Sequence, residues 1–223
     1  MDVQVTDKFI LYSGGAIGTD TLFGTNAEWY GITEQNYSFR GHKNCRSRGR
    51  VILDDIQLKR ADDDLLTVIG NEFKKHQGTG DGTEKYWQRN WYQVQKAKEV
   101  FAVVKDRKSF LDFTGTRIEG AGVPMAIAIK TKEECKRVCV YDQTLAKWYV
   151  WKRNSGNLGI EVNYRKIDAN TLQEIGEKLY FEEVAEEKLK ITEVDFTGIG
   201  TREINSKGID AINNLFKRSF LPA

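Results

Sequence analysis

Proline is almost missing from this chain: Pro124 and Pro222 are the only two in 223 residues, so little stands in the way of regular helices and strands. Histidine is just as scarce. His42 and His76 are not spaced as a metal-binding pair, and neither accompanies a serine or cysteine elbow, so the sequence carries no catalytic-triad pattern. Cys45, Cys135 and Cys139 show no paired spacing, which argues against a zinc site and a disulfide framework and points to a reducing compartment. No Gly-Lys-Thr Walker loop occurs, so neither a metal nor a cofactor is expected. The opening segment MDVQVTDKFILYSGG lacks the basic start and apolar run of a signal peptide, and no stretch approaches the ~18 apolar residues of a membrane span. These absences predict a cytoplasmic protein with no membrane partner. Nor is there a marked excess of charge: 34 Lys and Arg balance 32 Asp and Glu to a net +2, which does not announce nucleic acid as a partner.

What is present is an alternation of strand-like and helix-like segments. Phe9 to Tyr12 reads as a strand ending in Ser13-Gly14-Gly15, and Leu22, Phe23, Ala27 and Tyr30 follow helical spacing over 19–30. A weakly apolar strand is expected over 32–39, followed by a basic loop with Arg40, His42, Lys43, Arg46, Arg48 and Arg50. One long helix is expected over about 54–75 and a second over 84–98, the latter with Trp87, Trp91 and Val94 on one face. Val100 to Val104 is β-branched and apolar and predicts a buried central strand. A further helix opens near Pro124, strands follow over 137–141 and 147–151, and 159–167 completes an edge hairpin. The acidic segment 171–190 reads as helix, 191–196 as strand and 204–220 as the final helix. Together these predict a single α/β domain over 1–223: a Rossmann-like, mostly parallel sheet with helices on both faces, plus a small β-hairpin insertion.

Three glycine-bearing turns carry the chemistry. In Ser13-Gly14-Gly15-Ala16-Ile17-Gly18-Thr19-Asp20 the glycines permit positive φ and close approach, and the helix that follows aims its N–H groups at the loop. Gly14, Gly15, Gly18 and Thr19 are therefore candidate phosphate contacts, with Ser13 as a hydroxyl donor and Asp20 as a cap or an acceptor from ribose. Gly120-Ala121-Gly122 repeats the logic, so Gly120 and Gly122 are candidates too. In the third turn, Gly198 to Arg202, Gly200, Thr201 and above all the Arg202 guanidinium suit phosphate. Ile17-Gly18-Thr19 is echoed in Ile199-Gly200-Thr201, as a pocket with two glycine-lined sides would require. Arg89 and Asn90 lie on a helix whose amide is expected to point inward, and Asp142-Gln143 ends a strand where α/β ligands bind, as a base or ribose reader or as a capped turn.

The set Ser13-Gly14-Gly15-Ala16 with Gly18-Thr19-Asp20, Gln88 to Val94, Val140 to Gln143, and Gly198 to Arg202 resembles the SLOG superfamily, the Rossmann-like group of DprA/Smf and LOG-type proteins, over nearly the whole chain. That resemblance implies a nucleotide-derived small molecule, such as an ADP-ribose-like or cyclic signalling nucleotide, bound over the glycine loops, and a homo-oligomer. Sensing or sequestration follows, including use as a phage anti-defence sponge. The LOG branch hydrolyses nucleoside monophosphates with Gly-Gly-x-Gly-Thr and a glutamate two residues on. Here the segment is Gly120-Ala121-Gly122-Val123-Pro124-Met125-Ala126, without that threonine or glutamate, so a non-catalytic binder is expected. The alternatives are a LOG-type hydrolase working through Glu119 or Asp20, and a DprA-type single-stranded DNA module resting on Arg40 to Arg50.

Overall fold

The computed structural model describes residues 3–43, 46–68, 70–80, 82–106, 127–128, 137–153 and 179–221. They form one eight-stranded sheet. The strands are β1 (Ile10–Ser13), β2 (Thr33–Phe39), β3 (Arg50–Leu53), β4 (Glu99–Val104), β5 (Arg137–Asp142), β6 (Lys147–Arg153), β7 (Leu179–Val184) and β8 (Asp195–Gly200). Their order is β3-β2-β1-β8-β4-β5-β6-β7, with every pairing parallel except β5 with β6 and β6 with β7. This is the Rossmann-like α/β sheet, with an antiparallel extension at one side.

The helices are α1 (Thr19–Trp29), α2 (Asp55–Lys59), α3 (Asp62–Val68), α4 (Asn71–His76), α5 (Thr83–Gln95) and α6 (Ser206–Phe220). Side chains on β4 leave the sheet alternately, so each of its faces meets a different group of helices. Val100, Ala102 and Val104 join Leu65, Val68, Phe73, Trp87 and Val94 of α3, α4 and α5. Phe101 and Val103 join Phe23 and Ala27 of α1 and Ile212, Leu215 and Phe216 of α6. All six residues of β4 are buried, which is why this stretch is apolar without alternation.

Several expectations are corrected. The single helix over 54–75 is three short ones. Asp54 closes a capping box with Gln57 at the start of α2, tight bonds from Arg60 and Ala61 end it, and Gly70 at φ +64 separates α3 from α4. Arg50–Leu53, read as loop, is an edge strand. The helix expected across 171–190 is β7 over Leu179–Val184, because antiparallel pairing with β6 outweighs the helix preference of its glutamates. The hairpin partner of β6 is β5; residues 159–167 lie outside the described residues. Finally, β8 runs through Gly200 rather than stopping at 196, so Gly198 and Gly200 are strand residues. A Cβ on Gly198 would stand 2.0 Å from the Phe23 ring, so glycine there lets α1 close onto the sheet.

Among the described residues no helix is long and apolar enough to cross a membrane.

Candidate functional site

β1 and β8 are neighbours at the centre of the sheet, where the chain leaves in opposite directions: β1 continues to β2 and β3, while β4, β5 and β6 lie beyond β8. Such a switch point opens a crevice at the carboxyl ends of parallel strands. The turns that follow these two strands touch. Thr19 donates through its N–H and its hydroxyl to the Thr201 carbonyl, at 3.2 and 3.0 Å. Thr201 N–H in turn donates to Val103 O at 3.1 Å. Gly18, the residue before α1, has φ +96, and a Cβ there would stand 2.3 Å from Arg202 O. The repeated Ile-Gly-Thr segments therefore meet backbone to backbone, and the third turn caps the first helix.

The first turn does not present bare glycines to solvent. Gly14 and Gly15 are buried. A Cβ on Gly14 would fall 1.4 Å from Arg89 Nη1 and 2.8 Å from Asp20 Oδ2, and one on Gly15 would fall 2.3 Å from the Asn36 amide. The close approach that these glycines allow is thus taken by the chain's own polar side chains. Ala16, Ile17 and Gly18 form the accessible part of the turn.

Asp20 and Arg89 form the polar centre. Arg89 Nη1 lies 3.6 Å from Asp20 Oδ2, with both side chains less than a tenth exposed. Burial pushes the Asp20 carboxyl up to about 6, against the opposing pull of Arg89 and of the backbone N–H groups of Gly200, Gly14 and Ala16. Arg89 also donates to Gln93 Oε1 at 2.8 Å, and Gln93 Nε2 donates to Gly198 O at 3.1 Å. That relay holds the guanidinium against β8. Asn90 is buried beside it, as its helical position implied.

Around this pair, positive charge converges. His42 stacks on Phe39 at 5.0 Å and meets Tyr86 edge-on, and its Nδ1 lies 3.0 Å from the Ser38 hydroxyl. Its imidazole is pushed down to about 4 by burial first, then by the charges of Arg89, Arg50 and Arg202. Three guanidinium groups from α5, β3 and the turn after β8 thus act on one point. Arg202 is exposed and forms no ion pair among the described residues.

Other predicted residues have structural partners. Ser13 donates to Glu34 Oε1 at 2.6 Å. Asp142 Oδ1 accepts from the N–H groups of Thr144 and Leu145 at 2.9 and 3.0 Å, so it is the capped turn of the β5–β6 hairpin. Gln143 donates to the Thr201 hydroxyl and Glu203 O, both at 3.3 Å, and accepts from Asn205 N–H at 2.7 Å. It is a brace for the third turn. Gln143→Ala should cost about 1–3 kcal/mol, the penalty of stranding those groups, and chemical denaturation will measure it. Trp87 belongs to the core, and Trp91 donates to Asp64 at 2.6 Å. In the basic loop, Arg46 is bound to Glu34 at 2.8 Å and to Glu28, and Arg48 to Glu28 at 2.8 Å. Gly120, Gly122 and Glu119 lie outside the described residues.

Sequence reasoning missed Gln93, Glu34 and Asn36. Gln93 stands four residues after Arg89, the helical spacing at which side chains meet. Glu34, Asn36 and Ser38 alternate along β2 and are all buried; polar residues at period two in a weakly apolar strand are the signal that was available. Among the described residues, no group of three or more His, Cys, Asp or Glu is placed to hold a metal. Comparison with protein-family models, with curated proteins and with solved structures returned no match.

Proposed function

We propose that this protein binds a nucleotide-derived ligand through its phosphates at the carboxyl edge of β1, β2 and β8, and holds it without transforming it. The observation that carries this reading is that the first glycine turn and the turn after β8 meet backbone to backbone through Thr19 and Thr201, with the buried Arg89 guanidinium against Gly14. The charges of Arg50, Arg89 and Arg202 all act on the nearby His42. Guanidinium groups match phosphate oxygens in a bidentate fashion, and a pyrophosphate would answer several of them at once. An ADP-ribose-like molecule or a cyclic signalling nucleotide has the required anion, and sensing or sequestration is the use that fits a binder. Against hydrolysis stands the placement of Asp20: a buried carboxyl paired with Arg89 and backbone N–H groups is poorly disposed to activate water.

Two measurements test this. Denaturing the purified protein and identifying released small molecules by mass spectrometry should yield a nucleotide, in unaltered form. In parallel, a nucleotide panel should raise the thermal midpoint. At a ligand concentration 100 times Kd the stabilisation is about 2.7 kcal/mol, or roughly 5–10 °C for a chain of this size. If no nucleotide is released and none shifts the midpoint, the reading fails.

A further inference from the structure

Resting on that reading, we propose that anion binding at the first glycine turn is coupled to the uptake of one proton by Asp20. The Asp20 carboxylate stands where an incoming phosphate would seek its donors, 3.6 Å from the Arg89 guanidinium and under the pull of the N–H groups of Gly14, Ala16 and Gly200. Its Oδ2 lies against Gly14, within 2.8 Å of where a Cβ would be. It is a resident anion in the cradle. A phosphate arriving beside it would place a second negative charge against a carboxylate that is itself buried, and like charges at such distances do not both persist.

The carboxylate has no easy way out. Asp20 is the second residue of α1, 5% exposed, on a side chain too short to reach solvent from there. Its backbone neighbour Thr19 is tied to Thr201. Protonation is the remaining route. The neutral acid keeps its place, releases the backbone N–H groups and frees Arg89 to face the phosphate. A second feature marks the turn as built for more than the chain itself: Asn36, fully buried against Gly15, donates to Arg46 O at 2.6 Å, but its Oδ1 has no hydrogen-bond partner among the described residues. A ligand hydroxyl or amine would supply the missing donor.

The charged groups around Asp20 leave it as the titrating partner near neutrality. From α5 comes Arg89, whose guanidinium lies 3.6 Å from the carboxylate. His42, in the loop after β2, is neutral near pH 7 because burial and the charges of Arg89, Arg50 and Arg202 push it down to about 4. Glu34 is bonded to Ser13 and Arg46. Asp20, pushed up to about 6 by burial, changes charge where the guanidinium groups do not.

The experiment is calorimetric titration with ADP-ribose, whose two phosphates are singly charged and do not titrate from pH 5 to 8, in buffers of different ionisation enthalpy. The expected result is uptake of up to one proton at pH 8, with Kd weakening up to about tenfold per pH unit above 6 and levelling below about 5. Asp20→Asn should remove the pH dependence and bind at pH 8 about as tightly as the wild type does at pH 5. The wild-type profile alone decides the matter should that variant fold poorly. Binding that is independent of pH, or tighter at high pH, overturns proton coupling while leaving the binding site intact. So would an Asp20→Asn protein that folds normally but loses affinity, since Asp20 would then be a direct ligand contact. No binding by either protein at any pH overturns the phosphate-site reading and this inference with it.

Discussion

Replacing Arg89 by methionine should destabilise the fold by about 3–5 kcal/mol at pH 8, the usual cost of removing one partner of a buried ion pair, and by clearly less at pH 5. The guanidinium is 4% exposed and its nearest carboxylate, Asp20, is 5% exposed, so solvent cannot replace the lost cation. The pH dependence follows from the carboxyl, held at about 6 in the folded chain against about 3.9 unfolded. Its proton is held more tightly by the folded state, so its contribution to stability falls as pH rises between about 4 and 6. Arg89 offsets that loss only while Asp20 is ionised. At pH 5 the carboxyl is mostly neutral and the loss shrinks to packing and the Gln93 bond. The difference between the two pH values cannot exceed about 2.7 kcal/mol, because roughly two pH units separate pH 8 from the Asp20 value at 1.36 kcal/mol each. Urea unfolding at both pH values measures it. Equal losses at the two would mean that Arg89 acts through packing alone, and its electrostatic role would be withdrawn.

The other large effect belongs to Gly18. Alanine there meets two costs. Its φ of +96° strains any L side chain, at about 1–2 kcal/mol, and its Cβ would stand 2.3 Å from a backbone oxygen, Arg202 O. That atom cannot move aside cheaply, since the adjoining Thr201 is bonded both to Thr19 and to Val103. Overpacking of this kind costs about 1–3 kcal/mol, so Gly18→Ala should lose about 3 kcal/mol and drive the two turns apart. Alanine at Gly41 makes a useful control: its φ is also positive, at +92°, but nothing lies within 4 Å of the added Cβ. Comparing the midpoints of the two variants isolates the contact between turns. If they fall equally, the meeting of the first and third turns contributes nothing to stability, and a pocket made of both becomes hard to defend.

Much of the architecture could be read from local patterns. Val100 to Val104, β-branched and apolar without alternation, reads as a strand covered on both faces, and it lies in the fully buried β4. The helical spacing of Leu22, Phe23 and Ala27 after a glycine turn led correctly to α1, and the Ile-Gly-Thr echo anticipated two turns at one crevice. Where local signals failed, a partner remote in sequence had decided the matter. The glutamates of 179–184 favour a helix in isolation, yet pairing with β6, including Lys147 to Glu183 at 2.8 Å, makes the segment a strand. Gly198 and Gly200 looked like loop residues because glycine usually marks turns. They are strand residues because Phe23 and Val103 O occupy the space of their side chains.

The candidate site divides in the same way. Sequence by itself determined the strands β1, β2, β4, β5 and β6 and the first glycine turn, because strand and helix periodicity and the φ freedom of glycine are properties of short segments. Only the tertiary structure decided what fills those glycines. Arg89 reaches Gly14 from a helix about 75 residues away in sequence and Asn36 reaches Gly15 from the next strand, so that a turn which reads as a bare phosphate cradle carries its own carboxylate and guanidinium. Burial, which sets the Asp20 proton near neutrality, is a property of the packed molecule and has no local spelling in the chain.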